Sequence, residues 1–401
     1  MKPLLTLDDA LNRVLSRAGS PPDVQSCPLL AAGGRVLAAD VTSTLDVPGA
    51  DNSAMDGYAL CAKDAPGPLT VSQRIPAGAV PEALQRGTAA RIFTGATVPP
   101  GADTVVMQEN CAEANGTVTI SGAVAAGDNI RRQGQDIGRG DTALTQGRRL
   151  RPQDMGLLAS LGLAEVPVYR PLRVAVLSTG DELVEPGKPL DDESQIYNSN
   201  RYTLAGLISA LGFEFVDGGI VPDDPAATAD ALSSAAAHAD CVITSGGVSV
   251  GEEDHVKAQV EQLGRLDLWK LAIKPGKPLA FGCVGATPFI GLPGNPSSVF
   301  VTFCLVARPF LLRLQGADDI ETPQLSASAG FEVNRAGSRQ DYLRVSVRPG
   351  PEGLVAERFP NQSSGVLSSV SHSNALAVIP VGTTVAKGDR VDVLLLDLLT
   401  A

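Results

Sequence analysis

A chain of 401 residues can hold two to four domains with separate cores, and a single compact core is not expected. Its net charge of -12 would repel a nucleic-acid polyanion or an anionic membrane surface, so the expected ligand is a small molecule, with no nucleic acid and no membrane as partner. His238, His255 and His372 are far apart, and Cys27, Cys61, Cys111, Cys241, Cys283 and Cys304 form no Cys-x-x-Cys pair, which points to reduced thiols, a cytoplasmic address and oxygen ligands for any cation.

The first residues lack the apolar run and cleavage site of a secretion signal, and no uninterrupted apolar stretch reaches the ~20 residues of a membrane-spanning helix. Thr6 followed by Asp9 reads as a helix cap, with Leu7, Leu11, Val14 and Leu15 on one face. From Asp46 to about Arg139 short strand-like runs alternate with Gly, Pro and Asn: Tyr58–Cys61, Leu69–Ser72, Arg91–Phe93, Thr104–Met107 and Thr117–Ile120, a separate β module. Pro152 then opens a helix that Gly162 closes.

From about Pro171 to Gly316 strands and helices alternate as in a doubly wound sheet. Strand Leu172–Leu177 leads to Thr179-Gly-Asp-Glu182, a helix spans about Arg201–Leu211, a strand follows at Phe213–Val216, and Asp223-Asp-Pro caps a helix to His238. Three glycine turns come next, each after an apolar run: Ser245-Gly-Gly-Val-Ser-Val-Gly251, Lys274-Pro-Gly-Lys-Pro278 after Trp269–Ile273, and Gly291-Leu-Pro-Gly-Asn-Pro296. A helix from Pro296 runs through Phe300, Phe303 and Leu305 until Pro309 bends or ends it. Beyond Glu321 strands at Tyr342–Val347, Ala375–Ile379 and Val391–Leu396 describe a small β domain.

Glycine turns at strand ends bring bare amides against an anion, and the following helices aim their positive ends at the same place. Lys274 and Lys277 add charge there, while Asp181, Glu182 and Asp254 come from separate loops. Any one of these acids alone is best read as a helix cap; together on one edge they suit magnesium. Gly247-Val-Ser249-Val-Gly251 also matches a serine nucleophile elbow, but His255 follows too closely and His372 lies in another domain. Neither a Walker loop nor a Gly-x-Gly-x-x-Gly fingerprint is present. Asp51–Tyr58, Phe93–Ala96 and the Arg131, Arg132, Asp136 cluster read by composition as turns or a solvated strand.

Seven stretches in this order resemble the motifs of the molybdopterin molybdenumtransferases of MoeA type, a family that includes the gephyrin E domain: Ser53–Ala59, Phe93–Ala96, Arg131–Ile137, Ser178–Leu183, Ser245–Gly251, Lys274–Pro278 and Gly291–Pro296. The resemblance implies a multidomain α/β plus β chain. A linker domain takes residues 1–44 and 140–169, an inserted β domain 45–139, a molybdopterin-binding α/β domain 170–318, and a carboxyl-terminal β barrel 319–401. It further implies a homodimer with a site shared between subunits, and a possible upstream adenylyltransferase as partner.

The implied reaction takes adenylylated molybdopterin and molybdate, releases AMP with Mg2+ and leaves molybdenum on the dithiolene sulfurs. Glu182 and Asp254 would hold magnesium, with Asp56, Asp136 and Asp223 as further catalytic carboxylates and Lys270 assisting. Thr94, Thr179, Ser245, Gly246, Gly247, Ser249, Gly251, Pro293, Gly294 and Asn295 would hold the pterin and its phosphate. Lys274, Lys277, Ser298, Arg339 and Ser364 would bind molybdate. Two alternatives are a non-catalytic scaffold of gephyrin type and a molybdopterin adenylyltransferase, whose fold the central block resembles.

Overall fold

A computed structural model describes residues 4–247 and 255–400. Its centre is a six-stranded sheet whose strands we number in chain order: β1 (Arg173–Thr179), β2 (Glu214–Val221), β3 (Cys241–Ser245), β4 (Gly264–Lys270), β5 (Pro278–Val284) and β6 (Thr287–Leu292). The spatial order is β2-β1-β3-β6-β5-β4. Pairs β1–β2, β1–β3 and β3–β6 are parallel, whereas β5 is antiparallel to both of its neighbours.

The apolar runs of β1 and β3 are continuous because both faces are covered. Val174, Val176 and Ile243 face a core that includes Leu204, Leu207 and Ile208 of the helix Ser199–Ala210 together with Val299 and Phe303. Ala175, Leu177 and Val242 face Leu232 of the helix Pro225–His238 and Val256 and Val260 of the helix His255–Leu263. Asp224 caps the second of these helices, accepting from the Ala227 amide at 2.8 Å.

One expectation is corrected here and one is narrowed. The run Trp269–Ile273 is not the strand that leads into the lysine turn. That strand is Gly264–Lys270, and Ile273–Lys274 leaves the sheet to pair in parallel with Gln340–Asp341. Nor does Pro309 end its helix: α-helix Pro296–Thr302 passes into a π-helical segment, Phe303–Ala307, and resumes as Arg308–Leu314. The Arg308 amide donates back across the π turn to the Phe303 carbonyl, so the ladder is carried up to the residue before proline, whose own amide is missing. This run of 19 residues is long and apolar enough to cross a membrane, yet 94% of its most apolar window is buried inside the protein.

The amino-terminal helix Leu7–Leu15 is capped by Thr6, whose Oγ1 accepts from the Asp9 amide at 3.1 Å. Strand Val24–Pro28 pairs antiparallel with Glu165–Tyr169, and Val41–Thr42 with Thr142–Leu144, so two segments distant in sequence close one layer around everything between them. That interval contains a six-stranded sheet of Thr104–Met107, Gly57–Leu60, Thr88–Ile92, Leu69–Ile75, Thr117–Ile120 and Cys111–Ala114 in spatial order.

The carboxyl-terminal strands Gln340–Gly350, Gly353–Arg358, Leu325–Ala329, Arg390–Leu395 and Ala375–Ile379 form a closed five-stranded barrel, the last pairing back to the first. The barrel docks against the end of the central sheet where β1, β3 and β6 finish. Besides the Ile273–Lys274 ladder, the Ser297 amide donates to the Ser364 carbonyl at 3.0 Å and Ser297 Oγ to the Val366 carbonyl at 2.8 Å.

Candidate active site

Ser178 of β1 pairs with Ser245 of β3, which pairs with Leu292 of β6, so three strands end in register. At the next residues Gly246 and Gly247 take φ of +93° and +67°. A side chain at Gly247 would run into buried Val256 and Thr179 Oγ1, so glycine is required by conformation and by space. The lysine turn crosses the same edge because β4 ends there and β5 begins there, with Lys270 paired to Pro278. Gly276 turns at φ +100°, and a Cβ there would run into the hydroxyl of wholly buried Thr302.

Between this edge and the barrel lies a cavity of about 440 Å3. Among its walls are Gly246, Gly247, Lys274, Lys277, Pro293, Gly294, Asn295, Ser298, Arg339 and Ser364. Ten of the fifteen residues expected to hold pterin, phosphate or molybdate therefore meet around one space. Thr179 touches it indirectly, packed on both glycines, and Ser245 closes its strand with an Oγ that is buried and has no partner among the described residues. Ser249, Gly251 and Asp254 lie outside the described residues.

The remaining candidates do not line the cavity. Glu182 stands just past β1 with its carboxylate folded back over Gly180, which adopts φ +137°. The Asp223 amide donates to Asp181 Oδ1 at 3.1 Å, so the loops after β1 and β2 are tied together and leave exposed carboxylates beside the sheet edge. Lys270 ends β4, its carbonyl accepting from the Leu5 amide at 2.9 Å. No cluster of three His, Cys, Asp or Glu side chains capable of holding a metal occurs among the described residues. The oxygen donors Asp181, Glu182 and Asp223 are of the kind magnesium takes while keeping several waters.

Asp56, Thr94 and Asp136 belong to the inserted β module. Asp56 Oδ1 accepts from the Thr94 amide at 2.7 Å and from Thr94 Oγ1 at 2.8 Å, and these two bonds hold its carboxyl below the ordinary range. The Asp136 amide donates to the Val47 carbonyl at 3.0 Å. Arg74 and Arg91 place their guanidinium groups 4.6 and 4.7 Å from the Phe93 ring centroid, which gives that aromatic its role beside the Thr94 turn.

Sequence reasoning missed the strip Gln362–Ser363, which completes the cavity wall next to Ser364. Its one available signal was the polar run Asn361-Gln-Ser-Ser-Gly365 between apolar strands. It also missed what supports that strip. Arg344 is 1% exposed and donates to Ser369 Oγ at 3.1 Å, the Tyr342 carbonyl at 3.2 Å and the Ser363 carbonyl at 3.3 Å. Gln362 in turn takes the Arg344 amide and donates to its carbonyl, both at 2.9 Å. Burial pushes the Arg344 guanidinium down from its usual value, opposed by the charge of Asp341.

Family models match nearly end to end: the MoeA N-terminal region (domain I and II) over residues 5–162, a probable molybdopterin binding domain over 175–313, and the MoeA C-terminal region (domain IV) over 326–396. A molybdopterin molybdenumtransferase of Haemophilus influenzae is 42% identical over 94% of both chains. The chain belongs to the MoeA family. A molybdopterin molybdenumtransferase of Nostoc is 39% identical over 99% of this chain and 94% of its own. The crystal structure of a molybdopterin biosynthesis MoeA protein from Pyrococcus horikoshii OT3 superposes with a TM-score of 0.85 at 30% identity, covering 98% of this chain and all of that one. The cavity thus spans two of the matched MoeA regions, the probable molybdopterin binding domain and the C-terminal region.

Proposed function

We propose that the protein is a molybdopterin molybdenumtransferase: it binds adenylylated molybdopterin and molybdate, releases AMP and leaves molybdenum on the dithiolene. The observation that carries this reading is the cavity itself, where glycine amides at strand ends meet Lys274, Lys277, Arg339 and three serines in a chain of MoeA descent. Gly246, Gly247 and the Pro293–Asn295 turn would hold the terminal phosphate and pterin through backbone amides. Lys274, Lys277, Ser298, Arg339 and Ser364 would surround the tetrahedral dianion.

Glu182 and Asp254, with Asp223 near the same edge, would hold magnesium, which when bound neutralises charge on the phosphoanhydride. Lys270 would assist at that group. The deciding experiment is incubation of the purified chain with adenylylated molybdopterin, magnesium and molybdate while following AMP; no molybdate-dependent AMP release would reject the reading.

Lys277→Ala tests the oxyanion site separately. A charge-assisted contact contributes about 1.5–3 kcal/mol, so the molybdate requirement should rise roughly ten- to a hundredfold with pterin affinity nearly unchanged. Calorimetric titration of each ligand checks this. Weakened pterin binding with unchanged molybdate binding would reassign the lysines to the phosphate.

We also propose the division into a linker domain (1–44 and 140–169), inserted β domain (45–139), molybdopterin-binding domain (170–318) and barrel (319–401), assembled as a cytoplasmic homodimer. Asp56, Thr94 and Asp136 are absent from the cavity wall of their own chain, which supports a site completed by a second copy. Mixing inactive Asp56→Ala and Asp254→Ala proteins under subunit exchange is therefore expected to restore activity in heterodimers. Exchange proved by mass without recovered activity would remove the shared site.

A further inference from the structure

We infer that Asp341 sets the affinity of the oxyanion cavity by holding Lys274 from behind and repelling the dianion that Lys274 faces. The inference rests on the reading of the cavity as the molybdate site. Asp341 Oδ2 lies 2.9 Å from Lys274 Nζ. The pair is imposed by the backbone, because Ile273–Lys274 runs in register with Gln340–Asp341 where the barrel docks on the central domain.

Lys274 lines the cavity with half of its side chain exposed, while that of Asp341 is 21% exposed. An anion bonded to the same ammonium would therefore sit no more than about 6 Å from the carboxylate. Asp341 Oδ1 is buried and has no hydrogen-bond partner among the described residues, so Lys274 is the one donor bonded to this carboxylate there, while Arg344 acts on it only through its charge. Of the three cations on the cavity wall, Lys274, Lys277 and Arg339, one is thus neutralised from within the protein. Among the described residues Arg339 is tied only to the Ile273 carbonyl, at 3.1 Å, with no carboxylate paired to it.

The consequence is counter-intuitive for a residue bonded to a ligand-binding lysine: removing its charge strengthens anion binding. A unit charge about 6 Å from a dianion repels it enough to change affinity about tenfold even at the dielectric of bulk water, and by more at the lower effective dielectric of a protein surface. A site that must admit molybdate and later let go of a molybdenum-bearing product is served by such moderation, since three uncompensated cations would hold the dianion more tightly.

The test is calorimetric titration of the full-length protein with molybdate alone, without pterin. If the parent protein binds no molybdate, the oxyanion reading of the cavity fails. Given binding, Asp341→Asn is expected to bind at least about tenfold tighter, and Asp341→Glu to stay near the parent value. The same substitution is then made in a Lys274→Gln background, where affinity should again rise several-fold because the repulsion does not need the lysine. A carboxylate that merely ordered Lys274 would give weaker binding in Asp341→Asn and no change in the Lys274→Gln background, and either result overturns the inference. The double variant removes both charges together and leaves no unpaired ion, so the comparison with Lys274→Gln stands even if Asp341→Asn alone does not fold.

Discussion

Glu182→Gln is expected to melt with the parent protein and to lose AMP release by roughly a hundredfold or more, the scale seen when one preorganised electrostatic group at a reacting centre is lost. The stability half of this expectation comes from geometry. The Glu182 carboxylate is exposed, turned back over Gly180, and makes no hydrogen bond or ion pair with the described residues, so replacing one oxygen by an amide breaks nothing that holds the fold. The activity half comes from charge, because a neutral amide binds a hard divalent cation far more weakly than a carboxylate. Thermal melting and an AMP-release time course read the two halves separately. Full turnover in magnesium would remove Glu182 from the metal set, and a lowered melting temperature would mean that its carboxylate is structural.

Gly247→Ala combines two penalties that a surface substitution does not meet. The position has φ +67°, and a left-handed backbone costs an L-residue about 1 kcal/mol. The new Cβ would lie 2.5 Å from Val256 Cγ2 and 2.9 Å from Val256 Cβ, and Val256 is 3% exposed in the core beneath the helix that follows. Overpacking of that kind adds about 1–3 kcal/mol, so a total near 2–4 kcal/mol is expected in denaturant unfolding. Gly247 also lines the cavity, so pterin affinity should fall even in the folded fraction, because its amide must move when the turn opens. Parent-like stability and pterin binding would show that the turn relaxes without cost.

Much of the candidate cavity is legible in the sequence, because its chemistry is local. A turn that presents amides to an anion needs glycine at particular backbone angles, and Gly246, Gly247 and Gly276 all adopt positive φ. Fully covered strands need continuous apolar runs, which marked β1 and β3. The cap at Thr6 is a four-residue signal and appears as expected. Strand Ala375–Ile379 was likewise set by its own residues, whereas Leu325–Ala329 and Gly353–Arg358, with weaker patterns, are defined by the partners that close the barrel.

Tertiary structure decided what depends on partners far along the chain. No local pattern says that Ile273–Lys274 leaves one sheet to pair with Gln340–Asp341 in another, yet this places a carboxylate behind Lys274. No local pattern says that a π turn carries the helix past Pro309, since burial of Phe303 and Phe310 on either side outweighs the missing amide. Arg344 reads in sequence as an ordinary charged position on a strand; only the closed barrel buries it and turns its guanidinium into the support of the Gln362–Ser364 wall. Residue type and spacing determine which turns can receive an anion, whereas the packing of barrel against sheet determines which charges stand together around it.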